Sequence, residues 1–381
     1  MKHLILTLAA TLLMTTAQAE PTATGDLGLV IERAKGSVLL VDQSDRAALA
    51  RIEGLGDLSH ASLVYSPDER FAYVFGRDGG LTKVDIVTRQ IVNRVVQAGN
   101  AIGGAISDDG KLVAVSNYEP GGVRVFDADT LDMVADIPTD SKTIGLVDAP
   151  GCRFVFTMWD TGETWIADFS KGDPAITKIP NMGKNPYDAL ITANGRTYIT
   201  GLFGEDGLTA LDLWAETPEP IRVLPNYGRG QEEMPVYKMP HLEGWALSGR
   251  EFVLPAVGHH EVLWIDADTL TETGRTQTHG QPVFAMARPD GRQVWVNFAH
   301  PLNDTVQVID SVSKEIIHEF KPGPAVLHME FTPRGHEVWI SVRDANKVMV
   351  YDTQSFEKLR EIEADSPSGI FFTARAHKTG L

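Results

Sequence analysis

The chain has 381 residues, 43% of them apolar, enough for a substantial core in one large domain or two or three small ones. Its formal charge of −17 repels phosphate backbones and argues against a nucleic-acid partner. The single cysteine, Cys152, excludes an internal disulfide and a CxxCH haem attachment. Cys152 stands beside Arg153, Phe154, Val155 and Phe156 and reads as a buried strand residue rather than a reactive thiol.

The N-terminus reads as a secretory signal over residues 1–19. Lys2 and His3 precede an apolar run from Leu4 to Met14, and Ala17-Gln18-Ala19 fits a small-x-small cleavage site. The run is too short to span a bilayer, and no cysteine follows it to carry a lipid. The expected mature chain is therefore a single domain over 20–381, periplasmic and without a membrane anchor.

A long repeat then governs the chain. An apolar strand ending in aspartate recurs as VLLVD, LTKVD, VRVFD, TWIAD, LTALD, VLWID, VQVID and VMVYD, ending at Asp42, Asp85, Asp127, Asp168, Asp212, Asp266, Asp310 and Asp352. Successive aspartates lie 41–44 residues apart, except for 54 between Asp212 and Asp266. Between them sit turn sequences, SPDER (66–70), SDDGK (107–111), TANGR (192–196), RPDGR (288–292) and TPRGH (332–336), each followed by an apolar strand. Their Pro, Asp, Asn and Gly supply turn dihedrals. Helical periodicity is absent. Four strands per unit predicts an all-β, eight-bladed propeller. The first unit starts at Leu27-Gly28-Leu29-Val30-Ile31 without an inner hairpin. Gly369-Ile370-Phe371-Phe372-Thr373 follows the last aspartate unit and has no successor. That C-terminal strand is expected to complete the N-terminal blade and close the ring.

Propeller geometry sorts the loops by face. The entry to each inner strand and the loop between second and third strands share one mouth, and the SPDG-type turns lie opposite. His60, entering an inner strand, and Arg77, leaving the second strand of the same hairpin, therefore meet at this mouth. Other mouth positions are Glu32-Arg33, Asn117-Tyr118, Trp159-Asp160, Tyr187-Asp188, Phe203, His259-His260, Asn297 to His300 and Arg343. The enlarged unit adds NYGRGQEEMPVYKMPHLEGW, residues 226–245, to the same side. Extra loop length on a rigid scaffold is often functional, though a surface insertion is the alternative. Arg77 has a bland alternative too, pairing with Asp78 inside its own turn. His259 and His260 are adjacent, would face opposite ways on a strand, and make a poor chelate. HExxH, GxGxxG, P-loop and nucleophile-elbow motifs are absent.

HASLVYSPDERFAYVFGRDGGLTKVD, from His60 to Asp85, resembles the start of the haem d1 domain of cytochrome cd1 nitrite reductase, where a haem-ligating histidine and a G-R-D-G turn share one hairpin. Residues 25–375 resemble the haem d1 biosynthesis relatives of that domain, with GRGQ and MPVYKMPHLEGW as further shared stretches. The cytochrome c domain of the reductase is missing, which favours a biosynthetic role. The resemblance implies non-covalent binding of haem d1 or dihydro-haem d1, with iron held by His60. It also implies dehydrogenation of a propionate side chain to an acrylate. Neutral imidazole suits iron, and arginine suits carboxylates. Arg77 is the first carboxylate clamp, with Arg229, Lys238 and Arg343 as further cations. Asn117 and Tyr118 are candidate hydrogen-bond donors. His241 or Glu243 is the expected base, with His241 also in reach of the tetrapyrrole. Cytochrome cd1 nitrite reductase and other haem d1 maturation proteins are the implied partners. Two alternatives stand beside this enzyme: a non-catalytic carrier of haem d1, and an unrelated propeller such as a lactonase-like enzyme or an interaction scaffold.

Overall fold

The computed structural model describes residues 24–227, 244–256 and 259–378. Among these, strands assemble into eight four-stranded sheets, each an antiparallel meander. Seven blades use consecutive strands. The eighth pairs Leu27–Glu32 with Ser37–Asp42 on one side and with Pro367–Phe372 on the other. The C-terminal strand is thus the inner strand of blade 1, as the repeat predicts, though it begins at Pro367 rather than Gly369. Numbering then follows the chain, blade 2 spanning 62–96 and blade 8 spanning 326–363.

The repeated sequence elements have local physical causes. The aspartate ending each third strand accepts backbone N–H groups of the following turn. Asp85 takes Val87 N (2.9 Å) and Thr88 N (3.0 Å), and Asp310 takes Val312 N and Ser313 N in the same way. Four residues after the aspartate the chain turns left-handed, at Arg46, Arg89, Leu131, Leu270, Lys314 and Phe356. The carboxylate stabilises a turn that leads into the outer strand. On the SPDG-type turns, Ser66 Oγ and Thr192 Oγ1 each accept the N–H five residues on (2.9 Å both). Cys152, expected within a strand, lies instead in such a turn just before Arg153–Met158, half-buried at φ 56°. Burial, then Asp109 and Asp108, pushes its thiol up to about 11, so it stays protonated.

Closure of the ring is visible in the core. Each apolar cluster is shared by two neighbouring blades. Leu29 and Leu40 of blade 1 pack with Leu63 and Val74 of blade 2. Tyr73 and Phe75 of blade 2 pack with Val113 and Val115 of blade 3. The series ends where Trp339 and Val350 of blade 8 pack with Val30 and Ile370 of blade 1. Tyr65 Oη donates to Phe371 O (2.8 Å), and Thr373 Oγ1 donates to Thr24 O (2.7 Å), tying both chain ends into this junction.

At the mouth the loops interlock through glycine. Gly36 (φ 62°) and Gly79 (φ 80°) lie so near the next connection that a Cβ would meet Gly56 O at 2.0 Å and Ala98 O at 1.7 Å. Only glycine fits both the dihedral and the approach. No helix of the described residues is long and apolar enough to cross a membrane.

Candidate functional site at the propeller mouth

The hairpin Ser62–Tyr65 and Phe71–Phe75 pairs Ser62 with Phe75. Continuing that register by two residues sets His60 opposite Arg77. His60 is exposed in a bend just before its strand, and Arg77 is exposed at the head of the next loop. The connection between them is tightly laced. Arg77 N donates to Asp57 O (2.8 Å), and Asp57 Oδ1 accepts Ser59 N (2.8 Å). Asp78 does not pair with Arg77. It binds Arg94 Nη2 at 2.6 Å and accepts Gly80 N at 3.0 Å, which fixes the GRDGG loop. The Arg77 guanidinium makes no hydrogen bond or ion pair among the described residues.

Arg77 has company of like charge. Arg33, half-buried in blade 1, donates to the backbone carbonyl of Ser59. Its pKa is lowered first by burial and then by Arg343, with Asp57 opposing and Arg77 adding to the fall. Arg343, from blade 8, is engaged by Asp344 of its own turn (2.6 Å). Three guanidiniums from blades 8, 1 and 2 thus converge on one side of the mouth, in a protein of charge −17. Like charges gathered in partial burial cost energy unless an anion joins them.

The next side of the mouth is aromatic. Tyr118 Oη and Tyr187 Oη are 2.7 Å apart. Trp159 stands edge-on to Tyr187 (5.6 Å between centroids) and against Phe203 (4.7 Å). Burial raises the pKa of both tyrosines, and Asp188 adds to the rise, while Arg77 lowers both. The positive side and the aromatic side are therefore contiguous at Arg77. Asn117, one residue before Tyr118, is placed otherwise. Its side chain is 1% exposed, donates to Gln97 Oε1 (3.1 Å) and accepts from Gln97 Nε2 (2.8 Å). Its amide is consumed in the wall behind the mouth. Arg229, Lys238, His241 and Glu243 lie outside the described residues.

Below the mouth the inner strands line the channel. In six of them the third residue is Asp188, Phe284, His328, Gly103, Gly145 or Gly369. His328 was not singled out from the sequence. Its ring lies 5.6 Å from Phe284 and 5.8 Å from Phe371, and its Nδ1 accepts Ile370 N at 3.2 Å. Burial first, then Arg375, lowers its pKa to about 4. The signal available was positional: His328 is the third residue of its inner strand, as Asp188 and Phe284 are of theirs. Two residues further down, Glu330 takes Arg375 in a forked pair (2.9 and 2.6 Å).

An eight-bladed, all-β propeller with arginines, aromatic rings and a histidine around one mouth is the class of protein that the fold and the site define. The comparisons with known proteins specify this class. The Cytochrome D1 heme domain model matches residues 22–376, and the chain belongs to that family. It is 57% identical to Protein NirF of Pseudomonas aeruginosa over 384 residues, 98% of both chains. It is 28% identical to the Dihydro-heme d1 dehydrogenase of the same organism over 359 residues, 90% of this chain and 70% of that one. The solved structure of the dihydro-heme d1 dehydrogenase NirN in complex with DHE superposes with a TM-score of 0.82 at 25% identity, covering 93% of this chain and 76% of that one.

Proposed function

We propose that this chain, after export to the periplasm, binds dihydro-haem d1 at the mouth and oxidises a propionate side chain to an acrylate. The observation that carries the binding reading is the Arg33–Arg77–Arg343 cluster. The relative solved with DHE has the same fold, which supports a tetrapyrrole as the anion. In this reading His60 ligates iron through a neutral imidazole. Arg77 and Arg33 take ring carboxylates, and Tyr118 donates a hydrogen bond beside them. The Trp159–Phe203 wall packs against the macrocycle edge.

The oxidation breaks two C–H bonds, forms one C=C bond and releases two protons and two electrons. His241 or Glu243 would accept the first proton. Two equivalents of a one-electron carrier of the cytochrome c type would accept the electrons. A second reading has one specific support. Pseudomonas aeruginosa contains both a Protein NirF and a separate dihydro-heme d1 dehydrogenase, and this chain is far more similar to the former. That division favours a carrier that holds the tetrapyrrole unchanged. Incubation of the protein with dihydro-haem d1 and oxidised cytochrome c, followed by mass spectrometry, separates the two. A loss of two mass units in the tetrapyrrole supports the dehydrogenase. Unchanged mass with a saturable optical titration supports the carrier. No titration at all overturns both.

A further inference from the structure

We infer that Tyr187 and Tyr118 form a directed hydrogen-bond relay that, with Arg77, makes a seat for one ionised carboxylate of the ligand. This rests on the binding reading above and goes beyond it by assigning a role to Tyr187 and a polarity to the pair. Each tyrosine hydroxyl has one hydrogen to donate and lone pairs to accept. The two oxygens, 2.7 Å apart, share one of the two hydrogens. Burial decides which. Tyr187 is 6% exposed and buried hydroxyls are satisfied, so its hydrogen goes to Tyr118 Oη, the one acceptor its hydroxyl has among the described residues. The Tyr118 hydrogen then has no acceptor among the described residues, and Tyr118 is the more exposed of the two.

The orientation of the donor is held on both sides. Trp159 packs edge-on against Tyr187, and Phe203 closes behind it at 6.3 Å. Donation from Tyr187 polarises the Tyr118 O–H and strengthens it as a donor. Arg77 acts on both phenols and brings a guanidinium without an ion-pair partner among the described residues. Asp188 lies near the same phenols and repels an anion, so the seat accepts a carboxylate only with Arg77 in place. The Tyr118 hydroxyl and the Arg77 guanidinium together suit an ionised carboxylate, and an ester offers neither the charge nor a second equivalent oxygen. Tyr118 would touch the ligand, and Tyr187 is a positioning residue acting through it.

The test is an optical titration of the full chain with dihydro-haem d1 and with its methyl esters. Tyr118→Phe should weaken binding of the free acid about tenfold or more and leave ester binding within about twofold. Tyr187→Phe should weaken the free acid by a few-fold only. In the Tyr118→Phe background it should have no further effect, which a merely structural role would not produce. Thermal midpoints of all variants check that folding is intact. If Tyr187→Phe costs the same with and without Tyr118, or if acid and ester lose equally, the relay is wrong. If the parent protein binds neither acid nor ester, it is the tetrapyrrole reading that fails. Should Tyr187→Phe fail to fold, the Tyr118→Phe acid-to-ester comparison still decides the seat.

Discussion

The two faces of the ring differ in how tightly their arginines are paired. On the turn face several arginines are paired with carboxylates, while Arg153 donates to the backbone carbonyls of Pro150 and Leu213. Arg70 binds Asp85 (2.8 Å), Arg196 binds Asp212 (2.6 Å), and Arg288 binds Asp290 (2.5 Å). These pairs sit where each blade's turn meets the aspartate that ends its third strand, or within the turn itself. At the mouth Arg33 and Arg77 form no close ion pair among the described residues; Asp57 acts on both from a greater distance. In the proposed reading these two guanidiniums, shared by the single carboxylate of Asp57, are the ones that take an anion from outside. The paired turn-face arginines belong to the scaffold, and the proposed binding site is confined to the mouth.

The comparison breaks most readily at the mouth. Replacing both Arg33 and Arg77 by Ala should weaken dihydro-haem d1 by a hundredfold or more, at about 1.5–3 kcal/mol for each charged hydrogen bond lost. His60→Ala should alter the optical spectrum of the bound tetrapyrrole by removing an iron ligand. An unchanged spectrum in that variant would remove His60 from the iron. Arg196→Ala on the turn face is the control. Its exposed, solvent-screened pair with Asp212 contributes little to stability, and affinity should stay within about twofold.

A smaller effect sharpens the boundary between the faces. Glu330, with its side chain 4% exposed, holds Arg375 near the turn-face end of the channel. Glu330→Gln keeps the shape but loses the charge and one acceptor of a forked pair. A destabilisation of about 1–3 kcal/mol in urea unfolding is expected, with little change in tetrapyrrole affinity. A large loss of affinity without a loss of stability would move the site down the channel.

The blades were legible in the sequence because their signals are local. An aspartate that accepts its own turn's N–H groups, as Asp85 does, works within four residues, and so it repeats visibly. Closure was legible for a related reason, since a strand left over at one end matches a strand missing at the other. The hairpin register placed His60 with Arg77 from the turn alone. The cationic cluster was not legible as a cluster. Arg33, Arg77 and Arg343 come from three blades, and Arg33 and Arg343 from nearly opposite ends of the chain. Asn117 and Tyr118 show the limit most plainly. They are adjacent, yet the strand alternation sends Asn117 into the Gln97 amide pair and Tyr118 to Tyr187. His328 escaped notice because a single imidazole inside an apolar strand has no motif around it.

The smallest expected effect lies in the channel and depends on pH. His328 has a folded pKa of about 4 against an ordinary value of 6.5, lowered mainly by burial. Between those values the unfolded chain binds a proton there that the folded chain does not, so this group makes stability rise with pH. Asp148, on the inner strand of blade 4, has the opposite sign. Burial, with Asp108 adding to it, raises its pKa from 3.8 to about 6. Between those values the folded chain holds the extra proton, and stability falls as pH rises. Each slope is at most about 1.4 kcal/mol per pH unit, and over pH 4–6 the two oppose one another. Their sum in the parent protein is therefore small, and single variants should uncover it. Asp148→Asn should make stability rise more steeply between pH 4 and 6 than in the parent, and His328→Gln should make it rise less. Urea midpoints at half-unit pH steps measure both. Parallel profiles for all three proteins would mean that neither group is shifted by its burial. Opposite departures would show that burial on the inner strands disfavours charge of either sign.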